Sequence, residues 1–217
     1  MTNQTENRQA FINRLQGHFS DEDIAQIMFA YDLSKEAHRT QTRQQGGRYF
    51  EHPRAGCIIL MDELSLYDKE LIISFLFHDV GEDTPMLGNS KTSYDLFVQT
   101  AKFRLTTLFG GAVADVVIRL TKPEIDEIRF HSKEELYAYY IEELQKSEDA
   151  ILLKAVDRLH NLRSLPANRV EWIKKQLNET QSVYMPIFSS VQGERKAYAN
   201  VLVSKIKSQM ITLQASL

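Results

Sequence analysis

Four side chains of metal-ligating type fall at three separated places: His52 before Pro53, the adjacent pair His78-Asp79, and Asp157 within the segment Lys154-Ala-Val-Asp-Arg-Leu-His-Asn161. Two imidazoles and two carboxylates form a donor set suited to Mn²⁺, Fe²⁺ or Zn²⁺, without the thiolates of a structural zinc site. Taken alone, His78-Asp79 reads equally well as a buried, hydrogen-bonded pair. The upstream His-Pro and the distant aspartate turn the balance toward a divalent ion. A metal held this way acts as a Lewis acid and acidifies its water, which is the chemistry of phosphate-bond hydrolysis. Glu82 and Asp83 follow the pair almost directly. Carboxylates beside a metal orient an attacking water or pass a proton to a leaving group; the alternative for each is loop solvation or helix capping.

Asp157 and Asn161 are four residues apart and share a helix face, with Ser164 one step further along. Arg158 and His160 lie on other faces, which makes His160 a supporting or structural residue rather than a ligand. Lys35, Arg39 and Arg43 are also spaced by four. On a helix they form one cationic stripe, either a solvated face or a wall turned toward polyphosphate.

These residues need helices to position them. Ile24, Ile27, Met28 and Tyr31 follow helical periodicity from an N-cap at Asp21, and Gly46-Gly47 marks the end of that helix. Pro53 suits a first helical turn and leaves His52 near the cap. Asp68 opens a helix through Leu71, Ile72 and Phe75 that carries His78-Asp79 at its end, one way for neighbours in sequence to reach the same ion. Gly81, Pro85 and Gly88 break the pattern, so 84–93 reads as a mobile loop. Further helices are expected over about 93–109, 111–120, 133–146 and 148–164, with Ser132 and Glu135 at capping-box spacing. Ile206, Met210, Leu213 and Leu217 share a face of a last helix. Period-two alternation is nearly absent. The reading is all-α, a single domain over 1–217.

At 217 residues, 43% hydrophobic and 25% charged, the composition is that of a globular protein able to build its own core. Cys57 is the only cysteine, which rules out an intrachain disulfide and agrees with a reducing compartment. Met1 to Arg8 lack the apolar core of a signal peptide, and the longest apolar run, Leu71 to Phe77, is far short of a membrane span. The expectation is a cytoplasmic protein with no membrane partner. The net charge of −3 gives no general attraction to nucleic acid.

Ala37 to Pro53 resembles the opening motif of RelA/SpoT-type hydrolase domains, His78-Asp-Val-Gly-Glu-Asp-Thr84 their His-Asp and Glu-Asp motif, and Lys154 to Leu165 their closing motif. Thr121-Lys122 falls where a Thr-Lys pair is usual. The likeness spans about 24 to 165, in the right order, and leaves 166–217 as C-terminal helices. It implies an HD-type helical bundle with one Mn²⁺, held by His52, His78, Asp79 and Asp157, and Glu82 and Asp83 as the catalytic acids. Arg43 would lie against the purine, Tyr49 would help form the pocket, and Asn161 and Ser164 would lie near the ribose and its phosphates. The implied reaction removes the 3′-pyrophosphate of guanosine tetra- or pentaphosphate. Gln44 stands where the family often has lysine, and Ser164 where it often has threonine; both bear on the base and the phosphate contacts. Only about 50 residues follow the last motif, as in the small, hydrolase-only members. The competing readings are another HD phosphohydrolase, acting on an adenine alarmone, the 2′-phosphate of NADPH or a nucleoside monophosphate, and a non-catalytic helical module. The last would be expected to lack a ligand or the Glu-Asp pair, and none is missing. Assembly into a homo-oligomer is left open by the sequence.

Overall fold

The computed structural model describes residues 8–43, 46–89, 93–124, 129–165 and 169–217. Among them there is no strand, only an isolated antiparallel bridge between Thr42 and Arg48. The helices are α1 (Arg8–Leu15), α2 (Asp21–Ala37), α3 (Glu51–Ile58), α4 (Lys69–Phe77), α5 (Val80–Asp83), α6 (Tyr94–Phe109), α7 (Gly111–Leu120), α8 (Lys133–Gln145), α9 (Glu148–Arg163), α10 (Val170–Glu179), α11 (Met185–Ser189) and α12 (Lys196–Ala215). Wide π-turns continue α3 over Ile59–Glu63 and link α10 to α11 over Thr180–Tyr184.

Side-chain caps start the helices that matter most. Asp68 accepts from the Leu71 N–H at the head of α4, and Ser147 from that of Ala150 at the head of α9. The cap of α2 is Ser20, one residue before the expected Asp21; three acids then fill the first turn, where the helix dipole favours them. Ser132 accepts from Glu135, while the Glu135 carboxylate reaches the His131 N–H. Leu71 to Phe77 are all buried, so α4 is apolar all round and runs through the centre of the bundle. It packs on α2, α3 and α7; α9 packs on α3, α7, α8 and α12. Ile206 and Met210 of α12 are buried, whereas Leu217 is exposed.

One departure alters the site. The second helix stops at Ala37, capped by His38, well before Gly46-Gly47. The buried His38 ring stacks on Tyr49 at 4.7 Å between centroids, and its Nδ1 donates to the Gln41 side chain at 2.6 Å. These contacts turn the chain out of the helix. Arg39 and Arg43 therefore do not share a helix face with Lys35, and the expected stripe is split.

A second feature is a close approach of two helices. A Cβ at Gly56 would fall inside the Phe75 ring, so only glycine lets α3 sit this tightly on α4. Gly56 is one turn beyond His52, and Phe75 is three residues before His78.

Candidate metal centre

His52 lies in the first turn of α3, His78 caps the end of α4, Asp79 follows it, and Asp157 sits inside α9. One donor atom each from His52, His78 and Asp157 can be chosen so that all three lie within 4.8 Å of one another, and all three residues are buried. The Asp79 carboxylate adjoins this triad, with Oδ2 at 3.5 Å from His52 Nε2 and 3.1 Å from His78 Nε2.

The hydrogen bonds around the imidazoles decide which nitrogens face inward. His78 Nδ1 donates to the Phe75 carbonyl at 2.7 Å, which turns Nε2 toward the cluster. His52 Nδ1 lies 2.7 Å from His160 Nδ1, and the Arg43 guanidinium lies 3.3 Å from that same His160 nitrogen. A guanidinium only donates, so His160 Nδ1 accepts, and His52 Nδ1 carries the hydrogen. His52 Nε2 then presents a lone pair 3.2 Å from His78 Nε2 and 3.1 Å from Asp157 Oδ1. Groups that converge this closely are satisfied either by a proton on His78 Nε2 or by a cation among them. The donor set fits a divalent ion: borderline imidazole nitrogens and hard carboxylate oxygens, with no thiolate.

The titration of these groups follows the same geometry. Burial favours neutral His52 and lowers its pKa, overriding Asp157. Burial acts the same way on His78, but Asp79 and Asp157 outweigh it and raise its pKa. Burial opposes ionisation of Asp157; the Lys154 ammonium, 2.9 Å from Oδ2, together with His52 and His78 outweighs it and holds the carboxylate well below its usual range. Asn161 donates to Oδ1 at 2.6 Å.

Toward solvent stands a second set. Tyr49 Oη lies 2.8 Å from Asp79 Oδ2 and 2.5 Å from Asp83 Oδ2. A phenol has one hydrogen, so it donates to one carboxylate and takes a proton shared with the other. Lost hydration and the two acids push the phenol pKa upward, so Tyr49 stays neutral. Lost hydration also raises the Asp83 pKa. Glu82 Oε2 accepts from the Lys122 backbone N–H at 3.1 Å. Although the Glu82 residue keeps access to solvent, its carboxyl stands in a crowded, acid-rich hollow, where lost hydration and then Asp79 push its pKa up to about 7. Gly81 allows this approach, because a Cβ there would press on Thr121 Oγ1 at 2.9 Å.

Arg43 joins this side: it donates to Asn161 Oδ1 at 2.8 Å, and its guanidinium carbon lies 5.9 Å from the Tyr49 ring centroid. Ser164 ends α9, with its hydroxyl turned back onto the Asn161 carbonyl at 3.2 Å, away from the ligand cluster's hydrogen bonds. Gln44 lies outside the described residues. The roles of Lys154 on Asp157, of His160 on His52 and of Tyr49 between two acids come from contacts distant in sequence or from rotamer choice. Only the Lys154–Asp157 spacing was a signal available beforehand.

Residues 30–193 match the family model described as HD domain. The chain belongs to the HD domain family. Membership implies a divalent metal, and the His52–His78–Asp157 triad lies within the matched segment. This HD domain chain is 32% identical over 177 residues to the bifunctional (p)ppGpp synthase/hydrolase SpoT of Escherichia coli (strain K12), covering 80% of the chain and 23% of that protein. It is 33% identical over 177 residues to a guanosine-3′,5′-bis(diphosphate) 3′-pyrophosphohydrolase of Aquifex aeolicus (strain VF5), covering 81% and 23%. The chain thus spans less than a quarter of the length of these curated relatives. Its fold is also that of a metazoan SpoT orthologue reported to hydrolyse ppGpp, with a TM-score of 0.61 at 21% identity, covering 89% of this chain and 97% of that one. No helix among the described residues is long and apolar enough to cross a membrane.

Proposed function

We propose that this HD domain hydrolyses the 3′-pyrophosphate of guanosine tetra- or pentaphosphate, giving GDP or GTP and intact pyrophosphate. The observation that carries the reading is the coincidence of two things over one stretch of chain. The segment alike to named 3′-pyrophosphohydrolases is also the one that gathers His52, His78, Asp157 and the Glu82-Asp83 pair. Within this reading residues 1–217 act as one cytoplasmic hydrolase domain.

His52, His78, Asp157 and the adjoining Asp79 would hold the ion, taken here as Mn²⁺. When bound it supplies Lewis acidity at a phosphoryl oxygen and a more acidic water. Glu82, with its pKa near 7, can exchange a proton at neutral pH and is placed to receive one from the attacking water. Asp83, in contact with the Tyr49 hydroxyl, returns a proton to the departing 3′-oxygen. Tyr49 holds Asp79 and Asp83 in register, and Arg43 offers a guanidinium face to the purine. Asn161 supports Asp157 and Arg43 in this structure, so its contact with ribose requires it to exchange one of those bonds. Ser164 lies one turn on, at the end of α9, and its hydroxyl would leave the Asn161 carbonyl to meet a phosphate.

The test is incubation of Mn²⁺-loaded protein with guanosine tetraphosphate and separation of the products by ion-exchange chromatography. GDP and pyrophosphate in equal amounts are expected. Orthophosphate as first product, or turnover only of nucleoside monophosphates or NADPH, overturns the assignment.

A further inference from the structure

The half of the cationic stripe that does not reach the metal has its own destination. Lys35 and Arg39 open onto a cavity of about 850 Å³, together with Arg8, Arg48 and Arg54. None of the candidate metal ligands lines it, and neither Tyr49, Glu82 nor Asp83 does. His38 stands in its wall, and the opposite contact of that ring is Tyr49, so cavity and metal centre lie back to back across one aromatic stack.

The charges in the cavity are only partly balanced. Its lining includes two acids: Glu36 pairs with Arg39 at 3.3 Å where both are exposed, and Glu51 pairs with Arg54. Arg8 pairs with Asp32 at 2.8 Å, again at an exposed position. Exposed pairs of this kind contribute little and exchange readily for a better anion. Among the described residues Lys35 and Arg48 make no ion pair, and both are exposed. His38 Nε2 is a buried nitrogen with no hydrogen-bond partner. Since Nδ1 carries the hydrogen given to Gln41, Nε2 is an acceptor, and a phosphate hydroxyl or a retained water can donate to it. Tyr31 and Phe50, in edge contact at 4.7 Å, give the cavity an apolar floor.

We propose that this cavity is a second ligand site, which binds a small molecule bearing two or more linked phosphates, separately from the metal centre. Guanidinium forks match phosphate oxygens in pairs, and several of them around one concavity suit a polyphosphate better than a single carboxylate. The volume falls within the range of nucleotide-sized pockets. A nucleic acid or acidic protein would call for an extended basic groove or face, whereas these cations are gathered around one concavity with Glu36 and Glu51 among them.

Equilibrium dialysis of the Mn²⁺-loaded full chain with radiolabelled pyrophosphate tests the proposal. Two sites per chain are expected, with the second weakened by added salt. The double variant Lys35→Ala/Arg48→Ala changes two exposed residues outside the centre and is expected to weaken one site at least about tenfold, the loss of more than one charged contact. In Asp157→Asn one site is expected to survive, and adding Lys35→Ala/Arg48→Ala to it should remove that one. GDP in place of pyrophosphate separates the sources: tighter binding at the second site assigns a nucleotide, equal binding assigns free pyrophosphate. Binding in which no site is weakened by Lys35→Ala/Arg48→Ala overturns the proposal; a single wild-type site that this variant removes upholds it and counts against the metal centre alone. Because these counts involve no turnover, they stand apart from any failure of the hydrolase reading.

Discussion

On its inner side the centre is built by helices. His52, His78 and Asp157 come from the start of α3, the end of α4 and the body of α9, all buried, and each has a dedicated neighbour in His160, the Phe75 carbonyl and Lys154. On its outer side Arg43 and Tyr49 stand on the connection before α3, and Glu82 and Asp83 on the single turn of α5. Each is held by one or two polar contacts: Arg43 by Asn161 and His160, Glu82 by the Lys122 N–H, and Asp83 by Tyr49, which also meets Asp79. The inner side is fixed by packing, which the whole bundle enforces. The outer side is fixed by a few polar contacts among partly exposed groups, which can rearrange around a substrate. Positioning a metal and adapting to a ligand are thus assigned to different kinds of structure.

The sharpest break of the inner side is Asp157→Asn. The helix has its own caps and core, so helix content should survive. Metal per chain, read by atomic emission, should fall to near none, activity should disappear, and added Mn²⁺ should no longer raise the melting temperature. Full metal content in this variant would remove Asp157 from the ligand set. Gly56→Ala attacks the same side from behind, by forcing a methyl group into Phe75. A cost of about 3 kcal/mol, at the upper end for overpacking, is expected in denaturant titrations. An unchanged midpoint would mean that α3 and α4 separate freely.

Glu82→Gln tests the outer side. It should keep the metal while lowering kcat by about 10²-fold, the ordinary scale of a general acid–base group. Loss of metal instead would make Glu82 a ligand. A smaller effect is expected for His160→Phe, which keeps a ring but removes the acceptor for His52. Metal should still bind, with affinity lower by roughly 10- to 100-fold in a chelator competition. The smallest signal is in pH. In the metal-free protein the Glu82 pKa is raised to about 7, so its stabilising contribution is complete below the ordinary carboxylate range and is lost as pH rises through 7. Glu82→Gln should therefore melt higher than wild type at pH 8 and together with it near pH 4. Parallel melting curves at both pH values would show that the Glu82 carboxyl is as well hydrated as in the unfolded chain.

The same contrast governs what could be read in the sequence. Helices with a capping residue and an apolar periodic run, such as α4 after Asp68 and α9 within Lys154 to Asn161, are visible because local rules and burial agree there. The end of α2 was not visible. Nothing between Ala37 and Gln41 resembles a stop signal; the helix ends because His38 finds Tyr49 and Gln41, and that contact depends on the folded chain. Lys35, Arg39 and Arg43 look like one stripe only while that contact is unknown. The approach of His52 to His160 spans 108 positions, and that of Tyr49 to Asp79 spans 30. No periodicity reports such distances. The ligand types could be listed from the sequence; which nitrogen of each histidine turns inward could not.

Gly56 has a consequence for how such a protein can change over time. The spacing between His52 and His78 is gauged one turn back, at a spot where the chain offers only a hydrogen atom to an aromatic ring. That gauge lies on the dry side of the bundle, out of reach of anything that happens at the mouth. Residues around the opening can drift, and with them the choice of substrate, while the bite offered to the ion stays the same width.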